Sequence, residues 1–314
     1  MTTQPHITFI LGCTASGKSA LGQALAKRIG AEIISVDSMK IFRRMDIGTA
    51  KPLAAARSEI PYHLVDIVEP SEDYSVAQFV RAAEAAIADI TARRRHVLCV
   101  GGTALYIKAL SEGLFEGPSA NEAIRQRLKE RADREGPPAL HAELARADPV
   151  AAERIHPNDL RRIIRGLEVH ELTGQPITAL QTQWDRQRTR HACTFIGLRR
   201  DLEDQNQRTN RRVHRMLDEG LVDEVASLLA EDPPLSTTAR QALGYAEIIA
   251  HLSGEVALEE AVEAIKINTR QFSKAQRTWF RRFRDVRWID VRPDDTAEGV
   301  ADVVARMEGT AWLT

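Results

Sequence analysis

The chain has 314 residues, of which 43% are hydrophobic and 28% charged, and its formal net charge is −1. This composition is that of an ordinary globular protein and excludes a disordered or collagen-like chain. No apolar run reaches the roughly 18 residues of a membrane-spanning helix, and the first strand begins too early for a signal peptide. The three cysteines are widely spaced, which argues against a disulfide framework or a metal knuckle. We therefore expect a cytoplasmic protein.

The first predicted elements enclose a phosphate-binding loop. An apolar strand is predicted over His6–Leu11 and a helix over Ser19–Ile29, which Gly30 would end. The residues between them fit the pattern G-x-x-x-x-G-K-[ST], in which backbone N–H groups face one anion at the positive end of a helix. A polyphosphate or diphosphate is expected to bind here, with the Ser19 hydroxyl on Mg²⁺. The predicted diphosphate-binding residues are Gly12, Cys13, Thr14, Ala15, Ser16, Gly17, Lys18 and Ser19.

The acidic residue that most ATP- and GTP-hydrolysing proteins place at the end of a second apolar strand is missing. The candidate strands are His63–Val68, which contains Asp66, and His96–Val100, which is followed by Gly-Gly-Thr. Neither is an apolar run that ends in Asp. Two kinds of ligand therefore remain open, a nucleoside triphosphate or a diphosphate that acts as a leaving group.

The first half of the chain alternates strands and helices. Strand Ala31–Val36 is followed by an amphipathic helix over about residues 75–94, then by strand His96–Val100 and a helix over Thr103–Ser111. Because this order is typical of a parallel sheet flanked by helices, we predict an α/β fold like that of P-loop nucleoside triphosphatases.

The middle of the chain is predicted to be an insertion. From about residue 121 to 189 the sequence is polar and helical and is broken by proline-containing turns. We predict an all-α domain over residues 115–191, inserted into a catalytic core formed by residues 1–114 and 192–314. In the second part of the core we expect the strand Phe195–Leu198, helices over Leu202–Glu219, Leu221–Ala230, Gln241–His251 and about 257–284, and the strand Val286–Val291.

Each of two predicted strands is followed by residues that could take part in a reaction. Asp37 follows strand Ala31–Val36 at the carboxyl edge, where ligands bind in open α/β sheets. It would act as a general base for an incoming nucleophile, or it would cap the turn through Ser38. In Gly101-Gly102 and Thr103, the glycines would permit close backbone approach and the threonine would offer a hydroxyl, unless the segment is a plain strand-to-helix turn.

Basic residues cluster in the helices of the second half. Four cations recur at helical spacing and form a basic stripe that suits a phosphate backbone, namely Arg270, Lys274, Arg277 and Arg281. The aromatic residues among them are expected to pack in the core rather than stack on bases, namely Phe272, Trp279, Phe280 and Phe283. Arg208 with Arg212 and Arg211 with Arg215 are i, i+4 pairs, which indicate a solvated face or a phosphate clamp.

The segments that carry a resemblance to a known family are, in order, the phosphate loop, SVDS, MDIGTAKP, VGGT, HPND, the Arg161–Arg165 patch and TRQFSKAQRTWF. Over nearly its full length the chain closely resembles the tRNA dimethylallyltransferases. The resemblance implies transfer of a dimethylallyl group from dimethylallyl diphosphate, with Mg²⁺, to N6 of the adenosine 3′ of the anticodon (tRNA position 37). It implies the anticodon stem-loop of tRNA as the partner. It also accounts for the missing acidic residue, since no water attacks a γ-phosphate. We expect a monomer.

The resemblance also implies roles for single residues. Asp37 matches the general base, Arg212 the arginine that steadies the leaving diphosphate, and Thr14 a catalytic residue of the phosphate loop. Thr103 lies where the family contacts the target nucleotide. The residues that match tRNA-contacting positions, with the basic stripe added, are Asp37, Ser38, Met39, Lys40, Thr103, Arg125, Arg161, Arg162, Ile163, Ile164, Arg165, Arg240, Gln241, Ala242, Leu243, Gly244, Tyr245, Arg270, Lys274, Arg277 and Arg281.

The sequence departs from the family pattern at Cys13, Met39, Phe42, Ala246 and Ala275, none of which removes a catalytic group. Two other functions are compatible with the phosphate loop. A small-molecule kinase would use ATP and close a lid with paired arginines, which leaves the basic stripe without a purpose. A non-catalytic RNA-binding protein switched by a nucleotide would bind RNA tightly and would not need Asp37.

Overall fold

A computed structural model of the chain describes residues 5–114, 117–181 and 190–307. The chain forms two compact units, Met1–Ser111 with Arg190–Thr314 and Glu112–Thr189. The second unit lies within a few residues of the insertion expected over 115–191. No described helix is long and apolar enough to cross a membrane.

The first unit is built on a parallel sheet. Among the described residues its strands are β1 (His6–Gly12), β2 (Glu32–Val36), β3 (Tyr62–His63), β4 (Val97–Gly101), β5 (Ala192–Arg199) and β6 (Val286–Asp290). Their spatial order is β3-β2-β4-β1-β5-β6, and all neighbours are parallel. Strands β2 and β4 are buried along their full length, as expected where helices cover both faces. This sheet confirms the predicted α/β fold.

The helices follow in chain order. The first unit begins with α1 (Lys18–Ile29), α2 (Ala54–Glu59), α3 (Val76–Ala92) and α4 (Ala104–Glu112). The second unit holds α5 (Glu122–Glu135), α6 (Pro137–Ala147), α7 (Pro149–Arg154), α8 (Leu160–Thr173) and α9 (Ile177–Leu180). The first unit continues with α10 (Leu202–Asp218), α11 (Leu221–Leu229), α12 (Thr237–Arg240), α13 (Tyr245–Leu252), α14 (Leu258–Phe280) and α15 (Ala297–Ala305).

Local signals explain where the long helices begin and end. Helix α3 begins with a capping box in which Ser75 accepts the Gln78 N–H while the Gln78 side chain accepts the Ser75 N–H. Helix α1 begins after Gly17 and ends at Gly30, both of which have positive φ. The strand considered over His63–Val68 is wrong beyond His63, because Leu64 and Asp66 adopt left-handed backbone conformations that interrupt a ladder.

The second unit has its own hydrophobic core, formed by residues such as Leu128, Leu140 and Leu144. Glu168 is fully buried there. Burial alone would raise the pKa of this carboxyl, but hydrogen bonds from Arg125, the Asn121 N–H and Arg165 hold the pKa below its ordinary value.

Glycines bring β2 and β4 together at the carboxyl edge of the sheet. Gly101 is paired in register with Val36. A Cβ atom on Gly101 would lie 2.0 Å from the Val36 carbonyl oxygen, so a larger residue would force the two strands apart. This close approach places the turn after β4 beside Asp37, which directly follows β2.

Candidate active site

The phosphate loop connects β1, at the centre of the sheet, to α1. Gly17 has a φ of 99°, which favours glycine, and it precedes the first helical residue, Lys18. Gly12 is required for a different reason, because a Cβ atom there would lie 2.4 Å from the Ser16 hydroxyl oxygen. The loop therefore curls so tightly that the buried Ser16 side chain packs over the backbone where the loop begins.

Four side chains hold the carbonyl groups of this loop, one from Lys18 of the loop itself and three from the segment that begins at Arg200. The carbonyl oxygens of residues 13, 14, 15 and 16 accept hydrogen bonds from Lys18 Nζ (3.3 Å), Gln205 Nε2 (2.8 Å), Arg208 Nε (3.0 Å) and Arg200 Nε (2.8 Å), respectively. We call these four side chains the carbonyl clamp. The N–H groups of Ala15, Gly17, Lys18 and Ser19 have no acceptor among the described residues. They are the donors that an anion would use.

The loop borders a cleft of about 880 Å³ in the first unit. Its lining combines the phosphate loop, the turn after β2, the turn after β4 and one face of α10. The predicted site residues that line it are Thr14, Ala15, Gly17, Lys18, Ser19, Asp37, Ser38, Met39, Lys40, Thr103, Arg212, Gln241, Ala242 and Leu243. The structure thus brings the predicted base, phosphate loop and arginine into one cavity.

Asp37 takes one of the two roles considered for it, that of a turn cap, through only one of its carboxylate oxygens. Its Oδ1 atom accepts the backbone N–H groups of Met39 (2.9 Å) and Lys40 (3.3 Å), so the residue caps its turn. The Thr103 hydroxyl oxygen accepts the Ser38 N–H (3.1 Å) and ties that turn to the end of β4. None of the residues in the described ranges donates to Oδ2. One carboxylate oxygen is therefore held in place while the other is open to a ligand.

Three partly buried cations, Lys18, Lys40 and Arg212, lie near this carboxylate. Burial lowers the pKa of Lys18 to about 8, although nearby Asp37 opposes the shift. Burial also lowers the pKa of Lys40 and of Arg212, again with Asp37 acting in the opposite direction. Arg212 NH1 donates to the Thr14 hydroxyl (3.2 Å). Because three cations lie near one carboxylate, the side chains of the cleft carry an excess of positive charge that suits a diphosphate.

The Lys18 pKa predicts how anion binding depends on pH. Above about pH 8 free Lys18 is largely neutral, so binding inorganic diphosphate must take up a proton. The affinity is therefore expected to fall by about tenfold for each further pH unit. Titration calorimetry of the wild type and Lys18→Arg, which stays charged, would separate this effect from ionisation of diphosphate itself. A parallel pH profile for the two proteins would contradict the assignment.

Three of the residues predicted to bind diphosphate lie outside the lining of the cleft. Gly12, Cys13 and Ser16 belong to the loop but not to the described cleft lining. The Cys13 thiol is buried and donates to the Ser273 carbonyl oxygen (3.4 Å), and burial raises its pKa.

Three of the residues predicted to contact tRNA have side chains that pack in a hydrophobic core. Ile163 and Ile164 pack in the core of the second unit. Tyr245 is fully buried and donates its hydroxyl to Glu224 (2.6 Å). The apolar residues of RRIIR lie on the inner face of the amphipathic helix α8.

The predicted arginines of the second unit fall into two groups. Arg161 and Arg162 are exposed. Arg125 and Arg165 instead donate to the buried carboxylate of Glu168, at 2.8 Å and 2.6 Å. In the predicted tRNA-contacting stretch Arg240–Tyr245, which belongs to the first unit, Arg240 and Gln241 are exposed and Gly244 is buried.

The basic stripe lies along α14 and past its end. Lys274 and Arg281 are exposed, whereas Arg270 and Arg277 are partly buried. The expectation that the interleaved aromatic residues pack in the core holds for Phe280 and Phe283 but is wrong for Phe272. The Phe272 side chain is 47% exposed and lines the cleft.

The Ser19 hydroxyl beside the loop suits a metal ion that binds together with the phosphate groups of a substrate. Within residues 5–114, 117–181 and 190–307, no group of three His, Cys, Asp or Glu side chains is arranged to hold a metal. Ser19 is exposed and lines the cleft. Mg²⁺ commonly keeps several waters and binds substrate phosphates with few protein ligands, so one hydroxyl beside a diphosphate fits this ion.

The residues that shape the loop from a distance are not among those predicted to form the site, although one of them, Gln276, lies within the motif TRQFSKAQRTWF. Arg200, Gln205 and Gln276 are absent from the predicted site, and Arg208 is predicted only as one of an i, i+4 pair. The spacing of Gln205, Arg208 and Arg212 at i, i+3 and i+7 places them on one face of α10. That spacing is a usable signal, but it does not reveal that the face contacts residues about 190 positions earlier in the chain.

Comparison with known proteins gives consistent matches. The family described as IPP transferase matches residues 40–283, and the family described as isopentenyl transferase matches residues 5–60. The tRNA dimethylallyltransferase of Geobacter metallireducens is 47% identical over 285 residues, which cover 91% of this chain and 92% of the relative. That of Symbiobacterium thermophilum is 44% identical over 307 residues, which cover 98% and 96%.

Solved structures give the same result for the fold. The tRNA isopentenylpyrophosphate transferase of Bacillus halodurans superposes with a TM-score of 0.70 at 38% identity, covering 99% of this chain and 97% of that one. A eukaryotic dimethylallyltransferase acting on tRNA superposes with a TM-score of 0.79 at 27% identity, covering 96% and 78%. The resemblance therefore extends over nearly all of this chain.

Proposed function

This chain belongs to the tRNA dimethylallyltransferase family and transfers a dimethylallyl group to tRNA, and we propose that the donor is dimethylallyl diphosphate and the acceptor N6 of the adenosine 3′ of the anticodon. The observation that carries the proposal is the position of Asp37, the phosphate loop and Arg212 around one cleft. This arrangement provides a proton acceptor for a nucleophile and donors for a departing anion.

The phosphate loop and the partly buried cations Lys18 and Arg212 would act on the donor. As the bond between the allylic carbon and the diphosphate oxygen lengthens, negative charge grows on the diphosphate and positive charge on the carbon. The free N–H groups of the loop, Lys18 and Arg212 stabilise that negative charge, and the carbonyl clamp holds the loop in place before the reaction. Mg²⁺ held by Ser19 and the phosphate oxygens would add further charge neutralisation.

Asp37 would act on the acceptor. The adenine must leave the base stack to present N6, which costs little in a single-stranded anticodon loop. Since the amine is a poor nucleophile, most of the rate enhancement is assigned to stabilisation of the diphosphate. The Asp37 Oδ2 atom takes the proton that N6 loses as its bond to carbon forms, while Oδ1 stays fixed by the Met39 and Lys40 N–H groups. The products are N6-dimethylallyladenosine in tRNA and diphosphate.

The exposed cations of the basic stripe would hold the tRNA backbone. The double variant Lys274→Glu/Arg281→Glu is expected to weaken tRNA binding by about tenfold or more at low salt, with a smaller loss at high salt, because it removes phosphate contacts. Filter binding at several salt concentrations would measure this. The control Arg94→Glu/Arg306→Glu makes the same charge change at exposed positions outside the described cleft lining. Equal losses in the two variants would discard the stripe as a tRNA contact.

Release of diphosphate tests the proposed reaction. The protein would be given dimethylallyl diphosphate and Mg²⁺ with an unmodified anticodon stem-loop, or with the same RNA carrying G at the target position. Diphosphate release that needs the adenosine supports the proposal. Hydrolysis of ATP in place of release from the prenyl donor would instead support a kinase, an alternative that the relatives do not favour.

A further inference from the structure

Gln276 on α14 connects two parts of the cleft that are far apart in sequence. Its Oε1 atom accepts the Thr14 N–H at 2.8 Å, and its Nε2 atom donates to the Gly102 carbonyl oxygen at 2.9 Å. The side chain is only 5% exposed and lines the cleft. One amide therefore joins the phosphate loop to the turn after β4, and it uses both its acceptor and its donor.

The turn after β4 is shaped to admit this side chain. A Cβ atom on Gly102 would lie 2.4 Å from Gln276 Nε2, so a larger residue at position 102 would displace the amide. The sequence alone leaves open that Gly102 is a plain turn residue. Its contact with Gln276 gives a specific reason for the second glycine of VGGT.

The connection continues to the predicted base. Thr103 follows Gly102, and its hydroxyl oxygen accepts the Ser38 N–H at 3.1 Å. Ser38 follows Asp37 in the turn that Asp37 caps. A continuous path of hydrogen bonds and peptide bonds thus runs from Thr14, at the diphosphate side, through Gln276 and Thr103 to Asp37, at the base side.

We propose that Gln276 is a positioning residue that fixes the distance between the phosphate loop and the Asp37 turn. Because transfer requires the allylic carbon and N6 to meet while the diphosphate departs, the two sides of the cleft must keep one spacing. Gln276 touches neither reacting group but sets that spacing. This inference rests on the proposed function and names a residue on which its rate depends.

The test compares Gln276→Met with the matched control Gln271→Met, which makes the same change at an exposed position on the same helix. Gln276→Met is expected to lower kcat by about tenfold to a hundredfold, since small misplacements of reacting groups have effects of this size. The tRNA affinity should change little, and the Thr14 amide should exchange its hydrogen faster. An unchanged kcat, or an equal loss in Gln271→Met, would overturn the proposal.

The variant Gln276→Glu keeps the proposal testable if Gln276→Met folds poorly, and a double variant tests the path itself where Gln276→Met folds. Gln276→Glu keeps the acceptor for Thr14 but loses the donor to Gly102, so kcat should fall while the Thr14 amide stays protected. In Gln276→Met/Thr103→Val, the loss in kcat should be smaller than the product of the single losses, because both changes break one path. Wild-type kcat in Gln276→Glu, or fully multiplicative losses, would contradict the path.

The same assays separate this inference from the proposed function. A wild-type protein that adds no prenyl group to tRNA contradicts the function itself. An active wild type with an equally active Gln276→Met contradicts only the positioning role.

Discussion

Asp37→Asn is expected to lower the rate of prenyl transfer by a factor of about 10² to 10⁴, the range that a positioned general base contributes. The amide oxygen of the new side chain would still accept the Met39 and Lys40 N–H groups, so the turn should persist. The amide offers no basic oxygen in place of Oδ2. The tRNA affinity should therefore stay within a few-fold of wild type, and the loss should appear in kcat.

Single-turnover rates with saturating dimethylallyl diphosphate would measure this effect, with tRNA affinity determined separately. The control Asp73→Asn removes the same charge at an exposed position outside the described cleft lining and should leave the rate unchanged. If Asp37→Asn turned over as fast as wild type, the proton would have to leave N6 by another route and Asp37 would only cap its turn.

Arg212→Gln is expected to lower kcat by a factor of about 10² to 10³, as observed when one donor to a developing anion is removed. The guanidinium is partly buried, donates to the Thr14 hydroxyl and lies near Asp37. Glutamine keeps a donor but no charge. Arg212→Lys should be intermediate, because the ammonium restores the charge but not the planar fork.

Steady-state kinetics with varied dimethylallyl diphosphate would separate the effects of Arg212→Gln on kcat and on KM. The control Arg199→Gln changes an exposed arginine that pairs with Asp290 at the end of β5. A purely electrostatic contribution to binding would raise KM alone. That outcome would contradict a role for Arg212 in stabilising the transition state.

The parts of the site that could be predicted from sequence depend on local patterns. The order of strands and helices, the phosphate loop and the position of Asp37 after β2 each follow from a short run of residues. Parallel strands place their carboxyl ends at one edge, so the sheet brings these short runs together without further information.

The parts that could not be predicted depend on contacts across the fold. Gln205 and Arg208 reach the phosphate loop from α10, and Gln276 reaches it from α14. A polar residue on a helix gives the same sequence signal whether it faces water or a loop carbonyl. Phe272 shows the converse, because its apolar side chain suggested the core but lines the cleft.

One short helix could not be predicted for a related reason. Helix α2 buries no side chain, so its residues AAARSE show no apolar periodicity. Helix α15 does bury Val300, Ala301 and Val304, and it is as long as α11, which the sequence predicts. Its apolar face is therefore a usable signal, whereas α2 gives none.

The measurement that tests the central claim most directly locates the added group on tRNA. The purified protein would be incubated with dimethylallyl diphosphate, Mg²⁺ and unmodified tRNA that carries adenosine 3′ of the anticodon, and the digested nucleosides would be weighed by mass spectrometry. We predict one five-carbon prenyl group on that adenosine in the wild type and almost none in Asp37→Asn. Unmodified adenosine in the wild-type reaction, or a prenyl group on a different nucleoside, would contradict the account.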